Sequence, residues 1–210
     1  GGTGVIRNLT VQVNEYQAHG LTSPFVGTSW GGTIMNVDIY VNKLVGQSAH
    51  QGIAGLVVAE LRGDPSTLTD IHAYAVWTNE TTHANFNLFG KLTTTPVMTD
   101  CSALLVNAPE ALNVPTVEGL TVTRYAQTAL EVEIDGNVQL ASLDGYTLTY
   151  ASQDDEIATV NGTGLVTGVA EGETAVTVTI ASGGETVATL SVPVSVTAAA
   201  AIEAPENVSF

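Results

Sequence analysis

One cysteine, Cys101, stands in the whole 210-residue sequence, so no disulfide framework can form within the chain. Cations are almost as scarce. Five Lys and Arg face 21 Asp and Glu, for a formal charge of −16. Binding a polyanion takes clustered cations that displace counterions, so nucleic acid is not an expected partner. The same deficit disfavours docking on an anionic membrane surface. No apolar run reaches the length of a membrane span, so no membrane-spanning segment is expected in this sequence. No long stretch combines helical spacing with good caps. The opening residues GGTGVIRN carry neither Met nor a basic-then-apolar leader, and the chain reads as a piece excised from a longer one.

What remains is a composition made for strands. Hydrophobic residues make up 44% of the chain, enough to bury a core, and abundant Val and Thr with scattered Gly favour β-structure. In GTIMNVDIYV (residues 32–41) the apolar residues alternate with period two, yet the phase slips by one at Asn36. The slip recurs in VIRNLTVQV (5–13), TLTDIHAYA (67–75) and VMTDCSALL (97–105). Asn8, Asn36, Asp70 and Asp100 align, separated by 28, 34 and 30 residues. Between these copies lie the short apolar segments PFVGTSWGG (24–32), IAGLVVAEL (53–61) and NFNLFGKLT (85–93). Two strand-like pieces per period of this length is a pattern of stacked coils. Successive side chains of a strand point to opposite faces, so a one-residue slip marks a bulge or corner. Asn and Asp suit a corner because they bond nearby backbone and tolerate unusual φ/ψ. The expected structural ladder is therefore Asn8, Asn36, Asp70 and Asp100. The inward set is Ile6, Leu9, Val11, Val13; Ile34, Val37, Ile39, Val41; Leu68, Ile71, Ala73, Ala75; and Met98, Cys101, Ala103, Leu105.

The segments GTIMNVDIYV, AGLVVAEL, NLFGKL and TDCSA resemble the GLUG-type repeats of bacterial surface proteins over roughly residues 4–106. That resemblance implies a short right-handed parallel β-helix. An antiparallel sandwich whose strands share one pattern stands as the alternative. Residues 107–116, NAPEALNVPT, read as a linker, and charge shifts there. Residues 1–110 hold 8 acids and 4 bases, and residues 111–210 hold 13 acids and 1 base. Beyond it, short alternating strands punctuated by Gly, Asn and Asp suggest a Greek-key sandwich. Here Tyr150-Ala151-Ser152, Ile157 to Val160, Gly164 to Gly168 and Gly172 to Val176, with Gly136 to Leu140 before them, resemble the bacterial immunoglobulin-like domain of group 2, with Tyr150 where that family usually has Trp. The expected architecture is all-β: a β-helix-like repeat domain over 1–110, an immunoglobulin-like Greek-key β-sandwich over 111–200, and a linker or tail over 201–210.

Candidate chemistry is sparse. The outward face of the repeat strands carries rows Thr10, Asp38, His72, Ser102 and Gln12, Tyr40, Tyr74, Leu104. Asp38, Tyr40, His72 and Tyr74 form the candidate ligand-binding face, since exposed aromatics bind sugars or protein partners. The competing role for Tyr40 and Tyr74 is a cross-strand pair that stabilises the sheet. Asp154, Asp155 and Glu156 share one turn, a minimal candidate for Ca²⁺ and more simply a solvated connection. No other cofactor is expected. His19, His50, His72 and His83 show no metal-ligand spacing. No Ser-His-Asp order, phosphate loop or dinucleotide fingerprint is visible, so catalytic residues are expected to be absent. Sequons stand at Asn8, Asn79, Asn161 and Asn207. The two resemblances imply a non-enzymatic extracellular, cell-surface module of a bacterial protein. Its repeat domain would meet a host glycan or surface protein, and the immunoglobulin-like domain would act as a stalk. The rivals are a virion protein of phage tail or capsid decoration, a self-assembling homo-oligomer or filament, and a fragment of a polysaccharide- or peptide-cleaving β-helix enzyme using Asp38.

Overall fold

The computed structural model describes residues 4–18, 22–46, 54–78, 86–110, 114 and 116–199. The tail 201–210, the sequons at Asn79 and Asn207, and His19, His50 and His83 lie outside the described residues. Among the described residues the structure is strands and turns without a helix. In the first half the strands are β1 (Val5–Val13), β2 (Tyr16–Ala18), β3 (Val26–Ser29), β4 (Gly32–Gly46), β5 (Ala54–Leu61), β6 (Ser66–Trp77), β7 (Phe86–Leu92), β8 (Val97–Val106) and β9 (Leu120–Tyr125). They form two sheets. One has the order β1-β4-β6-β8-β9 with β2 beside β4, and the other the order β3-β5-β7.

Every pairing in the larger sheet is parallel, and so is every pairing in the smaller one. The antiparallel alternative for these residues therefore fails. Parallel neighbours cannot be joined by a tight hairpin and need a crossover. Here each crossover from β1 to β8 carries a strand of the smaller sheet, so the chain alternates between the two sheets from rung to rung.

The phase slip has a plain backbone origin. Asn8, Asn36, Asp70 and Asp100 all sit in the left-handed region, with φ of 58°, 51°, 56° and 52°. A residue in that conformation turns the strand, and the apolar set resumes on the same side one residue later. Because every rung turns at the same place, register runs unbroken through the corner: Ile6 lies beside Ile34, Leu9 beside Val37, Leu68 beside Met98 and Ile71 beside Cys101. Asn36 Nδ2 donates to Asn8 Oδ1 at 2.9 Å. A fifth rung, which the sequence pattern does not show, is β9. Its Leu120 pairs with Cys101, so Gly119 holds the corner position, with φ of 81°. A Cβ there would stand 2.2 Å from the Met98 carbonyl oxygen, which excludes any side chain.

Burial follows the stack. Ile34, Val37, Ile39, Val41, Leu68, Ile71, Ala73, Ala75, Met98, Cys101, Ala103 and Leu105 are all buried in one core with Leu56, Val58 and Phe89. In the first rung, by contrast, Ile6 is 37% and Leu9 44% exposed. Each inner rung is covered on both sides, whereas β1 is an edge of its sheet.

The chain divides into two compact units after Ala126, with the turn segment Ala181–Thr189 counted with the first. The division falls beyond residues 107–116 because β9 continues the first sheet. The second unit contains β10 (Leu130–Glu133), β11 (Asn137–Gln139), β12 (Thr147–Ser152), β13 (Ala158–Val160), β14 (Leu165–Gly168) and parts of β15 (Gly172–Ser182) and β16 (Glu185–Thr197). These form sheets of order β10-β16-β15-β12 and β11-β14-β13, an arrangement consistent with an immunoglobulin-like domain. Alternate residues face its core: Leu130 and Val132, Val176, Val178 and Ile180, and Val192, Val194 and Val196 are all buried, as period two requires. Gly164, at φ of 83°, lies against the Tyr150 ring, where a Cβ would meet Cζ at 2.8 Å. Tyr150 itself remains half-buried.

Asn36→Ala removes the rung-to-rung hydrogen bond and puts a Cβ-bearing residue without a capping side chain into the left-handed region. It is expected to cost the first unit about 1–2 kcal/mol in urea denaturation. Asn36→Gly, free of the conformational penalty, should lose less. An unchanged midpoint in Asn36→Ala would show that the corner residues do not hold the stack. Gly164→Ala combines a left-handed backbone with a clash on Tyr150 and should destabilise the second unit by about 2 kcal/mol or more, read as a lower melting temperature.

Candidate functional site

The parallel register places the outward residues of the larger sheet in straight rows. Thr10, Asp38, His72, Ser102 and Thr121 are successive partners, as are Gln12, Tyr40, Tyr74, Leu104 and Thr123. Asp38, Tyr40, His72 and Tyr74 thus meet on one patch of β4 and β6. The Tyr40 and Tyr74 rings stack with centroids 5.0 Å apart and planes 13° from parallel. Tyr74 is only 8% exposed and Leu104 is fully buried. Tyr74 therefore does not serve as an open platform, a correction to the expected face, and only Tyr40 presents an accessible part of the pair. Burial pushes the Tyr40 hydroxyl up from its ordinary pKa, with the nearby Asp38 charge adding to it.

His72 bridges rungs. Its Nε2 lies 2.9 Å from Asp70 Oδ1 and its Nδ1 lies 2.7 Å from Ser102 Oγ. An ionised carboxylate only accepts, so the neutral ring donates from Nε2 and accepts at Nδ1, and Ser102 donates its O–H. This is a Ser-His-Asp chain assembled without any sequence motif. Asp70 and His72 are two residues apart on β6, and register alone brings Ser102 beside them from β8. The arrangement polarises the Ser102 hydroxyl and can move a proton along the row. It equally braces two rungs, with the Asp70 side chain 44% and that of His72 29% exposed.

Asp38 stands beside this chain, paired in register with His72. Burial raises its pKa, His72 opposes that and Asp70 adds to it. Cys101 is buried, its thiol 3.5 Å from the Leu68 and Thr99 carbonyl oxygens. Burial pushes the thiol pKa up, the behaviour of a small core residue. Asp154 spends its carboxylate on the Glu156 backbone N–H, at 3.0 Å. No three His, Cys, Asp or Glu side chains converge on a metal position among the described residues. At the sequon Asn161, Oδ1 accepts from the Thr163 and Leu165 N–H groups and from the Thr163 hydroxyl, a turn-forming role.

Residues 117–192 match the family model of the bacterial Ig-like domain, group 2. This carries the resemblance read from Gly164 to Gly168 and its flanking motifs, and domains of this family are found in bacterial surface proteins. The match begins before β9, whose pairing in the structure is with β8 of the first unit. No curated protein matches the chain. The resemblance of residues 4–106 to GLUG-type repeats gains no support from these comparisons.

Asp38 offers a test of the electrostatics. A carboxyl whose pKa is raised on folding binds protons more tightly in the native state. Its ionisation then costs stability above the unfolded pKa of about 3.9. Asp38→Asn should therefore raise the melting temperature at neutral pH, and the gain should vanish as pH falls below that value. A gain that is constant with pH would mean that packing, not charge, is responsible.

Proposed function

We propose that the chain is a non-enzymatic extracellular module of a bacterial surface protein. Its first unit is a short parallel β-helix of the GLUG type that offers a ligand face, and its immunoglobulin-like domain acts as a stalk. The carrying observation is the row geometry: Asp38, Tyr40 and His72 stand side by side on an in-register parallel sheet, a polar and aromatic set held by strands rather than by loops. Carboxylate and imidazole groups beside a partly open Tyr ring suit the hydroxyls and apolar ring face of a glycan. The group 2 immunoglobulin-like match supports the surface assignment.

A self-assembling or virion role is the second reading, and one observation favours it. Strand β1 is an edge strand with Val5 58%, Ile6 37% and Leu9 44% exposed. Such an edge pairs readily with another chain, and stacked-coil proteins need a polar cap to stay soluble.

The test is binding of the whole chain to a glycan and host-matrix array, repeated with Tyr40→Ala. Losing the ring stack should lower stability by about 1 kcal/mol. Binding should fall to background while the variant stays folded by circular dichroism. Binding unchanged by Tyr40→Ala would sink the proposed face. No binding, with particles growing with concentration in light scattering, would favour assembly.

A further inference from the structure

Six large apolar side chains are exposed among the described residues, and three of them, Val5, Ile6 and Leu9, lie on β1. Trp30, in the turn between β3 and β4, is another. Its ring is already partnered, since Arg62 sets its guanidinium carbon 4.6 Å from the centroid and is itself held 3.6 Å from Glu60 Oε1 by its Nε. The β1 edge is open in two further ways. Asn8 Oδ1 accepts from Asn36 Nδ2 at 2.9 Å, which leaves the Asn8 Nδ2 group without an acceptor among the described residues. Arg7 is exposed and makes no ion pair among them.

The bend at Asn8 limits what can pair there. Its φ is 58°, so a strand that stays straight can follow β1 on one side of the corner only. A full partner must run parallel and turn at the same residue, as β4, β6 and β8 do. In those strands, as in β1, the turn goes with one pattern: Asn or Asp with apolar residues two before it, one after it and three after it. About Asn8 these are Ile6, Leu9 and Val11. Outside the four corners a single Asn or Asp of the sequence has the pattern. It is Asn207, with Pro205, Val208 and Phe210, in a segment that lies outside the described residues.

Laid on β1 with Asn207 at the corner, this segment matches it residue by residue. Glu206 falls opposite Arg7, Val208 opposite Leu9, Ser209 opposite Thr10 and Phe210 opposite Val11. Opposite charges and apolar pairs facing each other across strands are the stabilising ones. Asn207 Oδ1 supplies the acceptor that the Asn8 amide lacks. Pro205 falls opposite Ile6, as the first residue of the added strand, where its missing N–H is tolerated.

We propose that Pro205–Phe210 of a second copy adds to β1 as one more parallel rung, in register at Asn8 and Asn207. Strand addition of this kind draws affinity from main-chain hydrogen bonds and specificity from alternate side chains. The proposal rests on the assembly reading above and names the segment that does the pairing. The chain leaves the first unit through β9, at the opposite edge of the larger sheet from β1, and a second copy offers its β1 without the tail having to return across that sheet. The contact joins unlike surfaces, so its repetition gives rings or open chains of copies.

The test is sedimentation velocity of the intact chain at about 0.15 M salt, where the like charges of two copies are screened beyond about 8 Å. Oligomers should grow with concentration. Val208→Asp and Phe210→Asp together should leave a monomer over the same range. Glu206→Lys should weaken association about fivefold, and Arg7→Glu in the same chain should restore it. In the doubly substituted chain, whose β1 is free, a peptide of residues 201–210 should shift the NMR amide signals of Val5–Val11. The same peptide with Asn207→Ala should bind about tenfold more weakly, for want of the hydrogen bond and of a residue suited to the left-handed turn. Oligomers that persist in the doubly substituted chain would overturn the proposal and leave the assembly reading standing. A monomer at every concentration would overturn both. A peptide that shifts no β1 signal would show that the segment does not recognise this edge.

Discussion

In-register parallel stacking is the constraint on which the first unit depends. A parallel pair keeps its register only if both strands do the same thing at the same residue. Once one rung turns through the left-handed region, every neighbour must turn there too. That requirement selects Asn and Asp at residues 8, 36, 70 and 100, because they tolerate positive φ better than other side chains. It selects glycine at residue 119, where the Met98 carbonyl leaves no room for a Cβ. It also fixes the core. Ile39, Ala73 and Ala103 are buried at 1% or less because each lies against its equivalents in the rungs on either side.

The same constraint accounts for the exposed first rung. A coil buries its apolar side against its neighbours, not within itself. Ile6 has the same place in its rung as Ile34, yet one is 37% and the other 3% exposed. The strand of Ile6 has a partner on one side only, whereas that of Ile34 is flanked on both. Just beyond β1 the polar side chains pair in the same direction: Asn14 Oδ1 accepts from Asn42 at 3.3 Å, and Glu15 pairs with Lys43 at 2.9 Å. That pairing holds the Glu15 carboxyl below its ordinary pKa.

Much of this was legible in the sequence because it is periodic. The slip at Asn36 recurs after 28, 34 and 30 residues, and the inward residues follow from it by counting. The second half was legible because ordered motifs from Gly136 to Val176 span it. Three features were not. Strand β9 carries glycine at its corner, so a search for Asn or Asp passes over it, and LTVTRY reads as the first strand of the following domain. The Asp70-His72-Ser102 chain was missed because two of its members come from one strand and the third lies 30 residues on. Only the register of β6 against β8 makes it local. The fate of Tyr74 was hidden for a different reason. Alternation tells which face a side chain takes, but not whether that face is covered.

Register also decides what kind of site such a sheet can offer. Rows a single residue wide, repeated at strand spacing, bring like positions together whether or not chemistry is wanted. Tyr40 on Tyr74 and His72 between Asp70 and Ser102 are therefore what stacking produces by default, and each is first a stabilising contact between rungs. Trp30 and Arg62 are unlike them. They sit at the turns outside the larger sheet, where the rungs are free to differ, and the corresponding place beyond Leu92 in the next rung is held by Thr93.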